Sequence, residues 1–101
     1  MKECLPCEQK IGPLTKKESK ELLKKVKGWS LEGKKIVRKF VFRDFKEAMK
    51  FVNKVAVLAE SEGHHPDVEI HWNEVTLVLW THALNGLSEN DFILAKKINV
   101  L

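Results

Sequence analysis

Three short boxes, each a polar residue followed three positions later by an acid, divide this chain into helical segments. They are residues 15–18 (Thr-Lys-Lys-Glu), 44–47 (Asp-Phe-Lys-Glu) and 88–91 (Ser-Glu-Asn-Asp). After each box apolar residues recur at three- and four-residue steps, as they do along the buried side of a helix. The pattern predicts three helices, of which the first ends at Gly28 and the second at Gly63.

Strand-like runs rich in Val, Ile, Phe and Trp fill the spaces between these helices. In residues 68–72 the apolar residues alternate with polar ones, whereas 75–81 is nearly continuously apolar. Residues 35–42 place apolar side chains on both faces of a strand, with Ile36, Phe40 and Phe42 on one face and Val37 and Val41 on the other. Short turns at 32–34 and 73–74 join the runs into antiparallel pairs. We therefore predict an α+β fold, an antiparallel sheet with helices packed on one face. The predicted strands are residues 29–31, 35–42, 68–72 and 75–81.

The chain has 101 residues and a net charge of +4. This length predicts a single domain over residues 1–101, with residues 1–12 as a loose N-terminal segment. The lysines occur in pairs rather than in blocks, which favours a solvated basic surface over nucleic-acid binding. No apolar run approaches the roughly 20 residues that a bilayer span needs. No signal-like apolar stretch follows Met1, so we expect a cytoplasmic location and no membrane partner.

Cys4 and Cys7 form a lone Cys-x-x-Cys pair near the N-terminus. A structural zinc site takes four ligands, and the first histidine of the chain is His64. A thioredoxin-like redox pair would open a helix after a strand, and no strand-like run precedes these cysteines. We expect the pair to belong to the loose N-terminal segment, with metal or redox use as the minority alternative.

All four histidines fall between positions 64 and 82. His64 and His65 follow the second helix, and His82 follows the last strand, so a helix end and a strand end can bring three imidazoles to one rim of the sheet. Imidazole, with an unperturbed pKa of ~6.5, exchanges protons readily near neutrality. The spacing therefore predicts a general acid–base site. His71, on a polar strand face beside Glu69, is expected to be a surface residue.

Other polar and aromatic residues near the histidines have structural as well as functional interpretations. Glu60 and Glu62 lie in the last turn of the second helix, where acids oppose the helix dipole, which weakly suggests a role beyond helix stability. Asp91 is explained as the acid of a helix-start box. Trp72 and Trp80 are interpreted as core or sheet-face residues rather than as a ligand platform.

A zinc site is the competing interpretation of the histidine cluster. Catalytic zinc takes three protein ligands and a water. However, adjacent residues of an extended chain point to opposite sides, which makes His64 and His65 awkward joint ligands. No His-x-His or His-x-x-x-His spacing occurs. We therefore favour metal-free acid–base chemistry.

One set of fixed spacings resembles the signature of the pterin-4a-carbinolamine dehydratases. Flanking segments are similar as well, so the resemblance covers essentially the whole chain. The residues that carry it are Glu60, His64-His65-Pro66, Trp72, His82 and Asp91.

The resemblance implies a lyase that removes water from 4a-hydroxytetrahydrobiopterin and yields quinonoid dihydropterin. Such an enzyme recycles the pterin used by aromatic amino acid hydroxylases, which implies a functional link to one of them, and it needs no metal or cofactor. The implied fold is a four-stranded antiparallel sheet with three helices on one side. Dimers would form through sheet edges and tetramers through the second helices.

The resemblance also implies roles for particular residues. The implied catalytic residues are His64, His65, His82 and Glu60. The implied substrate-binding residues are His64, His65, Pro66, Thr81, His82, Ala83 and Leu84, and the supporting residues are Trp72 and Asp91. The runner-up interpretation is a protein-binding module, because vertebrate relatives also stabilise a transcription-factor dimer. Direct nucleic-acid binding is the least favoured, since no recognition motif is present.

Overall fold

The computed structural model describes residues 13–101, so Cys4 and Cys7 lie outside the described residues. A short 3₁₀ turn, His82–Leu84, joins the last strand to the last helix. The elements in chain order are α1 (Lys16–Leu23), β1 (Ser30–Glu32), β2 (Lys35–Val41), α2 (Phe45–Glu62), β3 (Asp67–His71), β4 (Glu74–Leu79) and α3 (Glu89–Ile98).

The four strands form one antiparallel sheet in the order β1-β2-β4-β3. Alternate residues of β4, namely Val75, Leu77 and Leu79, are fully buried, and they share one core with residues of the three helices. The intervening residues Thr76 and Val78 are only half-buried. We call their side of the sheet the open face. The predicted α+β architecture is confirmed.

The helices begin where the polar–acid boxes predict. Thr15 and Glu18 cap α1 reciprocally, and hydrogen bonds from the Thr15 backbone N–H and then its hydroxyl lower the pKa of the Glu18 carboxyl. Asp44 accepts the backbone N–H of Glu47 at the start of α2. At the end of α2, Gly63 adopts a left-handed conformation with φ of 65°. The predicted end of the second helix is confirmed.

The first helix ends earlier than predicted. α1 stops at Leu23, and the chain reaches Gly28 through turns in which Lys25 and Val26 bond back to carbonyls three residues before them. These tighter turns direct Val26 into the core, where it is 3% exposed. The chain changes direction at Gly28, whose φ is 87°.

The turn between β3 and β4 also differs from the prediction. His71 pairs with Glu74, so the turn residues are Trp72 and Asn73 rather than residues 73–74. Asn73 fixes this register, because its side chain donates to the Phe42 carbonyl and its own carbonyl accepts the Phe42 N–H. Trp72 therefore sits in the turn with a φ of 51° and 64% of its surface exposed, not on the sheet face or in the core.

Within residues 13–101, none of the helices combines the length and the apolar character that crossing a bilayer requires.

One local and one long-range contact hold neighbouring segments together at one end of the sheet. Thr81 and Gly86 form an isolated bridge that closes the 3₁₀ turn. Lys97 of α3 donates to Glu62 at the end of α2 over 2.7 Å, and both side chains are largely buried. The end of α2, the 3₁₀ turn and the start of α3 are thereby held beside one another.

Candidate active site

Three of the four histidines line one cleft at this end of the sheet. The cleft has a volume of about 320 Å³ and opens to solvent. Helix α2 ends at its rim, β3 begins there, and the 3₁₀ turn closes the opposite side. The lining residues are Gly63, His64, His65, Pro66, Asp67, Trp80, His82 and Ala83. As the sequence predicts, the end of a helix and the end of a strand bring three imidazoles to one rim of the sheet.

His64 is the buried imidazole of the cleft. Only 7% of its surface is exposed, and its Nε2 lies 2.6 Å from Oδ1 of Asp91. A carboxylate only accepts hydrogen bonds, so Nε2 of His64 carries the proton in this pair. In the neutral ring Nδ1 is then the basic nitrogen. Asp91 therefore selects the tautomer of His64.

Asp91 is itself held by two further donors. Its Oδ2 accepts the hydroxyl of Thr81 and the backbone N–H of Ser88, each over 2.9 Å. Thr81 gives its proton to Asp91, so in the 2.7 Å contact between Thr81 Oγ1 and Ser88 Oγ the serine is the donor. The Ser88 contact is half of the predicted helix-start box. The same carboxylate thus caps α3 and orients His64.

His65 pairs with a different carboxylate. Its Nε2 lies 2.6 Å from Oε1 of Glu60, and both side chains are mostly exposed, at 59% and 80%. Glu60 and His65 lie on either side of Gly63, so the left-handed turn brings the helix end and the imidazole together. A pair this exposed is screened by water and adds little to stability. What it offers is orientation of the His65 ring.

His82 has an aromatic neighbour that the sequence analysis did not place at the site. The rings of Trp80 and His82 lie with centroids 3.9 Å apart and planes inclined by 43°. Trp80 follows the buried Leu79 and so points to the open face, beside the cleft. The alternation of buried and open-face residues along β4, with His82 two residues after Trp80, was the signal that could have placed Trp80 at the site.

Asp67 is a second lining residue that the sequence analysis did not single out. It follows Pro66 directly and opens β3, and its Oδ2 accepts the indole N–H of Trp80 over 3.3 Å. Its position next to the His-His-Pro segment was the available signal.

Three predicted site residues lie elsewhere. Thr81 is fully buried and reaches the cleft only through Asp91. Leu84 lines a different cavity beyond the 3₁₀ turn. Trp72 lies at the opposite end of β3 from Asp67. His71, expected on the surface, is exposed at the end of β3.

The cavity that includes Leu84 is larger, at about 490 Å³, and lies between α1 and the β1–β2 turn. Its lining is mainly apolar, with Lys16 and Lys34 at its rim, and includes neither an imidazole nor a carboxylate. Proton-transfer groups are concentrated in the smaller cleft, which is therefore the candidate active site.

Among residues 13–101, no three His, Cys, Asp or Glu side chains are grouped as ligands of a single ion. His64 and His65 are each engaged with a separate carboxylate. The donor set of the cleft is suited to proton transfer.

Comparison with known proteins identifies the family of the chain. A family model described as Pterin 4 alpha carbinolamine dehydratase matches residues 12–101. The chain belongs to this dehydratase family. A protein of Rickettsia bellii named as a putative pterin-4-alpha-carbinolamine dehydratase is 45% identical, over 99% of this chain and 90% of the relative. The mitochondrial pterin-4-alpha-carbinolamine dehydratase 2 of Arabidopsis thaliana is also 45% identical, over 99% of this chain and 57% of its own length.

Two solved structures share the fold. A Brucella melitensis protein described as a transcriptional coactivator/pterin dehydratase superposes with a TM-score of 0.83 at 37% identity, covering 88% of this chain and 97% of that one. A pterin dehydratase-like protein described as a RuBisCO assembly factor of the alpha-carboxysome superposes with a TM-score of 0.63 at 22% identity, covering 72% and 87%. The second likeness concerns the fold alone.

Proposed function

We propose that this protein dehydrates 4a-hydroxytetrahydrobiopterin to quinonoid dihydropterin by histidine acid–base catalysis. The observation that carries the proposal is the cleft itself, which collects His64, His65 and His82 from two distant parts of the chain. Two of these imidazoles are hydrogen-bonded to carboxylates. The volume of the cleft suits a small bicyclic ligand.

The reaction needs one proton donor and one proton acceptor. The acid protonates the hydroxyl on C4a, which leaves as water. The base takes the proton from N5, and the N–H bonding pair becomes the new C4a=N5 double bond. Two imidazoles can perform both transfers, each contributing about 10²–10⁴-fold to the rate.

The roles of the histidines follow from their surroundings. We assign His64 and His82 to the C4a hydroxyl, where they exchange acid and base roles. With its Nε2 proton held by Asp91, His64 would present Nδ1 as the exchanging nitrogen. His65 would hold the pterin and assist proton removal from N5, with Glu60 orienting its ring. Pro66 and Ala83 complete the walls, and Thr81 and Asp91 support His64 from behind.

Single histidine substitutions test the proposal. With 4a-hydroxytetrahydropterin in a stopped-flow assay, His64→Ala and His82→Ala are each expected to lower kcat by about 10²–10⁴-fold. The matched control is His71→Ala, since His71 is exposed at the far end of β3. Its rate is expected to equal that of the unchanged protein. A His82→Ala variant that dehydrates the substrate at the original rate would refute the assignment.

The cellular setting is also a proposal. We expect the protein to form homo-oligomers and to serve an aromatic amino acid hydroxylase, whose spent pterin is this substrate. The cytoplasmic location remains a prediction from the sequence, and the Arabidopsis relative named above is mitochondrial. Fractionation of the source cells would test the location.

A dimerisation or coactivator-type role is the second candidate function. The description of the Brucella structure names a transcriptional coactivator beside a pterin dehydratase. Val57 on α2 is 73% exposed, as a docking residue would be. A chain with all three cleft histidines changed to Ala separates the two functions. Introduced into a strain lacking the gene, it would restore a binding function but not a dehydratase function.

A further inference from the structure

We propose that Trp80 is a positioning residue for His82, and that Asp67 and Lys35 hold the indole in place for this task. The inference rests on the proposed function, because it assigns Trp80 a part in the same reaction. Trp80 and His82 line the candidate cleft with their rings 3.9 Å apart.

His82 needs such a support. It begins the 3₁₀ turn and is exposed to solvent, so its ring would otherwise exchange between rotamers on a short timescale. Among residues 13–101, the indole of Trp80 is the ring that contacts it. Proton transfer requires the ring nitrogen within hydrogen-bond reach of the substrate. Contact with a fixed aromatic face would keep the imidazole in one orientation.

The indole is fixed from two neighbouring strands. Its N–H donates to Asp67 Oδ2 at the start of β3, over 3.3 Å. Lys35 Nζ, at the start of β2, lies 4.6 Å from the ring centroid, within range of a cation–π interaction. Since β2 and β3 pair with the two sides of β4, both anchors are set by the register of the sheet. The pairing of the strands thereby fixes the position of the indole that contacts the His82 ring.

Core packing does not account for Trp80. The core-facing positions of β4 are Val75, Leu77 and Leu79, and Trp80 is not among the residues of the core or those packed against it. The described contacts of its side chain are instead with charged groups and with His82. A large aromatic residue placed among such groups at a cleft is better explained by the site than by stability.

The test compares Trp80→Leu with Trp80→Phe. Trp80→Leu removes the aromatic face, and we expect kcat to fall by about 10- to 100-fold, since small misplacement of a catalytic group has effects of this size. KM should change by less than about threefold, because a misplaced proton-transfer group slows the chemical step more than it weakens binding. Trp80→Phe keeps an aromatic face and should recover most of kcat.

A spectroscopic readout makes the test independent of activity. The indole should shift the ring-proton NMR signals of His82 by its ring current, and the His82→Ala variant identifies these signals by their loss. In Trp80→Leu they are expected at the positions of a free histidine, and in Trp80→Phe at shifted positions. Circular dichroism and thermal melting confirm that each variant is folded.

Asp67 supplies a second, matched comparison. Asp67→Leu removes the acceptor of the indole N–H and should move the His82 signals part of the way, with a smaller loss of kcat. Glu69→Leu, two residues along β3 on the same face, should change neither.

The outcomes separate the inference from the proposed function. If the unchanged protein lacks dehydratase activity, the proposed function fails while the NMR signals still decide whether Trp80 orients His82. If the protein is active, unaltered His82 signals and kcat in Trp80→Leu would overturn the inference. So would a rise in KM that exceeds the fall in kcat, since Trp80 would then be a wall for the substrate.

Discussion

Asp91 serves the local helix and the distant site with one side chain. It is fully buried and accepts hydrogen bonds from His64, Thr81 and the backbone of Ser88. An ionised carboxyl has enough acceptor capacity for all three donors. Each buried donor left without a partner would cost about 1–3 kcal/mol, so the position tolerates few other residues.

Asp91→Asn tests this double role with a change of a single atom. If the amide oxygen keeps the hydrogen bonds from Thr81 and Ser88, the amide N–H₂ group faces Nε2 of His64. The imidazole can accept this N–H only if its own proton moves from Nε2 to Nδ1. We expect kcat to fall by about 100-fold or more, as when an acid–base histidine is held in the wrong tautomer. Two-bond ¹⁵N–¹H NMR correlations of His64 should report the change of protonated nitrogen.

Asp44→Asn is the matched control for this substitution. Asp44 caps α2 away from the cleft, and asparagine caps helices about equally well. It should leave kcat and the His64 signals unchanged. An Asp91→Asn variant with unaltered kcat would show that the contact is structural.

At the level of elements, two glycines with positive φ end α2 and redirect the chain before β1. Gly63 has open space where a Cβ would stand, whereas a Cβ at Gly28 would lie 2.6 Å from the Arg38 side chain. Arg38 is anchored there, because it donates to the Lys27 carbonyl and to Asn99 Oδ1. Asn99, the C-cap of α3, also accepts the indole N–H of Trp29. These contacts join the segment before β1 to the end of α3.

The same substitution at the two glycines should therefore have unequal effects. Gly63→Ala is expected to lower the free energy of unfolding by about 1–2 kcal/mol, the cost of a left-handed backbone at a residue with a Cβ. Gly28→Ala adds a steric clash with Arg38 and should lower it further, by at least another 1 kcal/mol or so, as overpacking does. Urea denaturation measures both, and equal losses would contradict the role given to Arg38.

At the level of the whole molecule, β3 is an exposed edge strand of the sheet. All five of its residues are exposed, and the core-side residues Val68 and Ile70 retain 41% and 37% of their surface. An edge strand leaves backbone N–H and C=O groups that can pair with another chain. This supports the proposal that two copies join through their sheets, and the exposed Val57 of α2 supports further association of dimers.

Charged substitutions should dissociate the proposed tetramer in steps. Light scattering coupled to size exclusion is expected to give four times the 11.7 kDa chain mass for the unchanged protein and twice that mass for Val57→Lys. The double variant Val57→Lys/Ile70→Lys should give the mass of one chain, because lysine on an edge strand opposes pairing. Val41→Lys, 65% exposed on the central strand β2, is the control and should change nothing. A monomeric unchanged protein would refute the proposal.

Local signals were sufficient for most of the architecture. The boxes at Thr15, Asp44 and Ser88 predicted where the helices begin, since a cap depends on residues within one turn. The β3–β4 turn was misplaced by one residue, because hydrogen bonds between Asn73 and Phe42, 31 positions apart, set the register. Trp72 consequently moved from the predicted strand into the turn.

The sequence by itself determined which groups could do chemistry here: three imidazoles, with Glu60 close enough along the chain to reach one of them. Only the tertiary structure decided how they are used. The contact of His64 with Asp91, 27 positions away, depends on how α3 packs beside the end of α2. The ring contact of His82 with Trp80 depends on anchors from two other strands. Helices and strands are determined by residues that are close in sequence. Contacts between side chains from different elements are determined by how those elements pack.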